Sequence, residues 1–165
     1  MTGRVHALAS IAALCVTAVA PSVSAQTIET SALHLADATK IANEAVKLAA
    51  DGPPVAVAVT NAEGNLVAAL RMDGTSFINL EAAEQKARTA IVMASPTKQA
   101  EQALAHGDLT LLGIKGMLPM AGGVPILLDG NVVGGIGVSG REPVEDDALA
   151  VKAGQVFGKG PKTAR

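Results

Sequence analysis

MAGGVPILLDGNVVGGIGVSG, residues Met120 to Gly140, is the stretch whose reading decides the fold. Two apolar runs, Val124 to Leu128 and Val132 to Val138, flank Asp129-Gly130-Asn131. Asp-Gly between β-type runs signals a tight hairpin, because glycine tolerates the positive φ such turns need. Gly134, Gly135, Gly137 and Gly140 fall in or just after the second arm. Missing side chains weaken a strand unless another backbone, a partner subunit or a ligand comes close, so something is expected to lie against it. Gly135 to Gly140 also fits the letters G-x-G-x-x-G, but the glycines sit inside a hairpin arm. No helix opens before about Glu145, and no acid stands about 20 residues on to hold a ribose. Close packing or a subunit contact explains the glycines better than a nucleotide.

Outward from the hairpin, the remaining pattern is helix and hairpin. On the C-terminal side, Glu145-Asp146-Asp147 sets acids at a helix start, where the dipole favours them, and Leu149, Ala153, Val156 and Phe157 form its apolar stripe before a basic tail from Gly158. On the N-terminal side, Leu109 to Met117 is apolar with Gly113 and Gly116, and a short strand and an irregular buried segment both fit. Ser95 before Pro96 reads as the cap of a short helix ending near His106-Gly107. Leu80, Ala83, Ala87, Ala90, Ile91 and Ala94 space a longer helix, capped by Asn79, with Glu84 and Arg88 paired on an exposed face. Val55 to Val59 and Asn65 to Met72, joined by Asn61-Ala62-Glu63-Gly64, form a second hairpin. Leu35 to Ala50 is an amphipathic helix ended by Asp51-Gly52-Pro53-Pro54. The order predicts an α+β domain, an antiparallel sheet with helices packed on it.

The chain has 165 residues, 49% hydrophobic and 17% charged, enough for one globular domain with a real core. Phe77 and Phe157 are the only aromatics, so that core is filled by small and aliphatic side chains. Without aromatic stacking platforms, and with a net charge of -2, nucleic acid is excluded as the expected partner. Residues 1–25 read as a secretory signal peptide: Arg4, an apolar run from about Ala7 to Ala20, Pro21, and Val23-Ser24-Ala25 before the cut. The expected domain is then 26–165, periplasmic or extracellular, with no membrane span in the mature chain. Cys15, the one cysteine, falls inside the signal, leaving no thiol or disulfide. His34 and His106 are the remaining histidines, too few for a structural zinc site, and no local sequence forms a nucleophile elbow.

Arg71-Met72-Asp73-Gly74, Lys86-Ala87-Arg88-Thr89-Ala90, Gly122-Gly123-Val124-Pro125-Ile126, Asp129-Gly130 and Val133 to Gly140 together resemble the GlcG/HbpS-like family, across almost all of the mature chain. That family includes secreted haem-binding proteins, and related domains occur beside glycolate-utilisation enzymes and in corrinoid-related proteins. The resemblance implies a profilin-like, GlcG-type single domain with about five antiparallel strands flanked by helices, assembling into dimers or larger rings. It implies a secreted oligomer binding haem or a related tetrapyrrole, in haem or iron storage or in redox sensing. The alternatives are a corrinoid or no cofactor, an accessory protein or enzyme for a small organic acid, and a structural oligomer.

Haem needs an axial donor, an apolar slot and a base for its propionates. His34, at a helix start where Ser or Thr would cap better, is the candidate iron ligand, an exposed helix-end histidine being the competing reading. Thr89 offers an oxygen ligand or a bond to the preceding turn of its helix. Arg71, Lys86 and Arg88 offer carboxylate partners or solvated surface pairs. Met72, Met93, Met117 and Met120 offer thioethers or core filling. His106, at a helix C-terminus before Gly107, reads as structural.

Overall fold

The computed structural model describes residues 33–157; the expected signal segment and the basic tail lie outside the described residues. In chain order the elements are α1 (Leu35–Leu48), β1 (Ala56–Asn61), β2 (Leu66–Arg71), α2 (Phe77–Met93), α3 (Thr97–Ala105), a 3-10 turn (Thr110–Gly113), β3 (Gly123–Leu128), β4 (Asn131–Ser139) and α4 (Pro143–Gly154). The strands form one antiparallel sheet in the order β2-β1-β4-β3. At the β3–β4 turn, Asp129 and Gly130 take φ of 50° and 82°, and Leu128 pairs with Asn131, so two residues close the hairpin. Successive positive φ values are what a type I′ turn requires, and Asp-Gly supplies them at low cost.

Helices α1 and α4 cover one face of the sheet and α2, with α3 beside it, the other. Strand alternation sorts the side chains. Val55, Val57 and Val59 of the β1 strip and Ile136 and Val138 of β4 join Ala38, Ile41, Ala42 and Ala45 of α1 and Leu149, Ala150 and Ala153 of α4 in one buried cluster. The opposite face carries almost no side-chain bulk. A Cβ at Gly135 would stand 2.6 Å from the Ala87 carbonyl oxygen, and one at Gly123 or Gly137 would run into the carbonyls of Lys86 and Ala83. The glycines thus let the backbone of α2 lie directly on β3 and β4, where dispersion contacts between close-packed backbones replace those of side chains. What lies against the glycine strand is this chain's own helix, and Gly135 and Gly137 face α2, not a subunit interface.

Four strands are present among the described residues where about five were expected. Leu109 to Met117 makes the 3-10 turn instead of a strand: the Asp108 carboxylate accepts the Thr110 N–H at 3.0 Å, and the Leu112 and Ile114 amides bond back to Leu109 and Leu111. Helix α2 starts at Phe77 with Ser76 as its N-cap, three residues before the expected Asn79 cap; Phe77 and Ile78, 78% and 50% exposed, stand outside the apolar stripe that marks the helix in the sequence. Similarly, α4 starts at Pro143, with proline in the first turn where its missing N–H costs nothing. In α3 the cap is Pro96, one residue after the expected Ser95.

Candidate functional site

The C-terminal half of α2 runs toward the β1–β2 turn. That turn is held by Asn61, whose Oδ1 accepts the backbone N–H groups of Glu63 and Asn65 at 3.1 and 2.9 Å, with Gly64 at φ 80°. Arg88 reaches over from α2: its Nε donates to the Gly64 carbonyl at 2.9 Å, and its Nη2 lies 2.6 Å from Glu84 Oε1. Between turn and helix lies an open cleft of about 270 Å³, lined by Ala62, Glu63, Gly64 and Asn65 of the turn, by Arg88, Ile91 and Val92 of α2, and by Met117. It combines a guanidinium on one side, two aliphatic side chains along the helix, and a thioether.

Thr89 sets the position of that thioether. Its hydroxyl donates to the Gln85 carbonyl at 2.8 Å, accepts the Leu118 N–H at 2.8 Å, and lies 3.7 Å from the Met117 sulfur. The first bond is the helix back-bond that threonine often makes. The second pins the irregular segment carrying Met117 against α2. Thr89 is wholly buried, so its hydroxyl acts on the site through Met117 and Leu118.

The other residues singled out by sequence do not gather there. His34 is exposed and precedes α1 in extended backbone, on the opposite face of the sheet from α2, and its side chain does not cap the helix. Arg71 is exposed at the end of β2, paired with Ala56, at the far end of the hairpin from the cleft; its Nη1 donates to the Thr75 carbonyl at 2.7 Å. Lys86 departs most from a solvated surface pair. It is 1% exposed, and its ammonium donates to Asp146 Oδ2 and to the Val138 carbonyl, each at 3.1 Å. Burial pushes the Asp146 carboxyl above its ordinary value, more than the Lys86 charge and the Arg141 and Gly140 amides pull it down. Lys86 is therefore committed inside the fold. Met72 is likewise engaged, its sulfur accepting the Val55 N–H at 3.4 Å, and His106 Nδ1 lies 2.6 Å from the Gln102 carbonyl at the end of α3. Among the described residues, no group of three or more His, Cys, Asp or Glu could hold a metal ion. Nor is any helix among them long and apolar enough to cross a membrane.

The family model described as "Haem degrading protein HbpS-like" matches residues 33–155. Protein GlcG of Escherichia coli (strain K12) is 34% identical over 85 residues, covering 52% of this chain and 63% of GlcG, so the match spans less than two thirds of that relative. Among solved structures, a double mutant of HbpS from Streptomyces reticuli superposes with a TM-score of 0.74 at 35% identity, covering 90% of this chain and 99% of that one. The PduOC:Heme complex gives a TM-score of 0.71 at 26% identity, covering 77% and 96%.

Proposed function

The chain belongs to the HbpS-like family, and on that premise we propose that it is a haem-binding protein whose ligand seats in the cleft between Arg88 and Met117. The observation that carries the reading is the composition of that one recess: Ile91 and Val92 would supply apolar contact, the Met117 sulfur a soft donor for iron, and the Arg88 guanidinium a partner for a propionate. The residues fit the group. The cleft, of about 270 Å³, lies just below the range of about 300–1,000 Å³ usual for enclosing sites, so it would hold part of a macrocycle and leave the rest outside. Thr89 serves as a positioning residue, holding Met117 through the Leu118 amide. The heme in the PduOC relative supports the choice of ligand class. Export to the periplasm or beyond, motivated by residues 1–25, and assembly into homo-oligomers complete the reading, which suits storage or sensing of haem.

Haemin titration tests it. The expected result is a saturable Soret shift at one equivalent per chain, lost as an axial signature in Met117→Ala and weakened about tenfold in Arg88→Ala, the loss of one charge-assisted hydrogen bond. His34→Ala is expected to leave the spectrum unchanged; the opposite pattern would move the site to the start of α1, with His34 as ligand. A featureless, non-stoichiometric titration overturns haem binding. Cobalamin and a panel of hydroxy and keto acids serve as comparison ligands, with no thermal stabilisation expected from either.

A further inference from the structure

Helix α2 begins far from the cleft, and its first turn is left without the groups that usually satisfy a helix start. Helices α1 and α4 carry acids in their first turns, Asp37 in one and Glu145 and Asp146 in the other, where the dipole favours negative charge. Helix α2, with 17 residues, carries none. Ser76 holds the cap position in extended backbone, yet its side chain makes no capping bond. The Phe77 and Ile78 amides, which come before any carbonyl of the helix can reach them, have no acceptor among the described residues.

What stands at this helix end is a cation. Gly74, at φ 84°, turns the chain out of β2, the Thr75 N–H bonds back to the Met72 carbonyl at 3.1 Å, and Arg71 Nη1 donates to the Thr75 carbonyl at 2.7 Å. The guanidinium is thereby fixed one residue from the cap, where the positive end of the dipole disfavours it unless an anion joins them. It forms no ion pair among the described residues, although Asp73 is two residues on. A second, independent observation points the same way. Thr75 is 5% exposed, and its hydroxyl has no hydrogen-bond partner. Buried polar groups almost always have one, so an orphan hydroxyl beside an uncapped helix marks where an outside acceptor belongs.

The donors choose the ligand. Amides, guanidinium and hydroxyls all offer hydrogens here, which calls for an anion rich in acceptor oxygens. A carboxylate brings two oxygens in one plane and one charge; a phosphate dianion brings three spread in space and about two charges. Phe77 and Ile78 are 78% and 50% exposed, and the Cα–Cβ bonds of a helix tilt toward its start, so they leave an apolar surface beside the donors.

We propose that the start of α2 is a binding site for a small phosphate monoester with an apolar body. The Arg71 guanidinium and the Phe77 and Ile78 amides hold the phosphate, Thr75 gives it a hydroxyl, and the Phe77 ring packs on the body. The site is independent of the haem reading, since Arg71 pairs with Ala56 at the far end of the hairpin from the cleft.

Titration with phenyl phosphate at about pH 7.5, where the group is a dianion, tests it by amide NMR and thermal melting. The expected result is saturable shifts, largest at the Phe77 and Ile78 amides, and a melting temperature that rises with ligand. Arg71→Gln is expected to weaken binding at least about tenfold, the loss of a charge-assisted contact, and Asp73→Asn to strengthen it by removing a like charge. Thr75→Val gives a readout that a purely structural role would not: the free protein melts no lower, because no bond is lost, while phenyl phosphate binds more weakly. Shifts that do not saturate, or saturation indifferent to Arg71→Gln, overturn the site. Benzoate binding as tightly as phenyl phosphate overturns the choice of phosphate, and inorganic phosphate binding as tightly overturns the apolar body. Haemin titration of Arg71→Gln is expected to match wild type, so the two sites succeed or fail separately.

Discussion

Lys86 Nζ and Asp146 Oδ2 lie 3.1 Å apart with 1% of either side chain exposed, and they join two helices that lie on opposite faces of the sheet. The bridge passes the end of β4. There the ammonium also takes the Val138 carbonyl, and the second Asp146 oxygen accepts the Arg141 N–H at 3.1 Å. Gly122, at φ 117°, leaves the room: a Cβ on it would stand 2.9 Å from Nζ. Both partners are hydrogen-bonded, as buried charges must be to be tolerated.

Removing one partner is therefore expected to cost far more than removing both. Lys86→Met leaves a buried carboxylate without its counter-charge and should lower the unfolding free energy by about 3–5 kcal/mol, whereas Lys86→Met with Asp146→Leu should recover most of the loss. Urea denaturation of the three proteins checks it, and a single substitution costing less than the double would refute the pairing argument.

The raised pKa of Asp146 sets a sign for pH. Burial, the leading cause, puts the folded value above the ordinary value of 3.8, so the folded chain holds this proton more tightly than the unfolded one. The stability contributed by the group is fully present below the unfolded value and is lost as pH rises through the folded value. Plotting the difference in unfolding free energy between wild type and Asp146→Asn against pH should show that decline as pH rises above the ordinary aspartate value; a difference that grows with pH would contradict it.

Thr89 tests the link between helix and cleft. Thr89→Val keeps the shape but strands the Leu118 N–H, at a cost of about 1–3 kcal/mol, and should speed hydrogen exchange at Leu118 and Met117. Thr89→Ser should restore protection, because it keeps the acceptor.

Helices and hairpins could be read locally, since Asp129-Gly130 and the i, i+3, i+4 spacing act within a few residues. What escaped reading was long-range. Lys86 stands among Glu81, Glu84, Gln85 and Arg88, and such a run reads as a solvated face until its partner, 60 residues on, is known. That partner lies in Glu145-Asp146-Asp147, whose place at a helix start already accounts for acids. The cleft escaped for the same reason: Arg88, Gly64 and Met117 belong to three separate segments, and nothing local marks Met117 out from core-filling methionines. The Leu109 to Met117 run misled because apolar content was taken to mean burial, whereas Leu109, Leu112 and Ile114 face solvent.

Arg141 closes α1 from a distance. Its Nη2 donates to the Ala49 carbonyl at the C-cap and its Nε to that of Pro53 in the following loop, both at 2.7 Å, which ties the end of α1 to the segment between β4 and α4. A single ammonium cannot reproduce the planar fork, so Arg141→Lys should cost about 1–2 kcal/mol, read as a lowered melting temperature, with little further loss in Arg141→Ala. Equal stability of Lys and wild type would show that one contact suffices.

Gly137 separates packing from assembly. Its missing side chain admits the carbonyl of Ala83, and a Cβ there would also stand 2.9 Å from the Ala87 nitrogen, both atoms belonging to the backbone of α2. A helix backbone cannot yield as a flexible side chain can, so Gly137→Ala must lift α2 from β4 along its length and cost at least about 3 kcal/mol. Gly130, at φ 82° with open space around it, gives the contrast: Gly130→Ala pays only the left-handed backbone penalty of about 1–2 kcal/mol. Denaturant midpoints should rank wild type above Gly130→Ala and Gly130→Ala well above Gly137→Ala. Any folded fraction of Gly137→Ala should keep the wild-type association state, because the position faces the chain's own helix. A Gly137→Ala protein of full stability with altered assembly would reverse that assignment and place a second subunit, instead of α2, against the glycine strand.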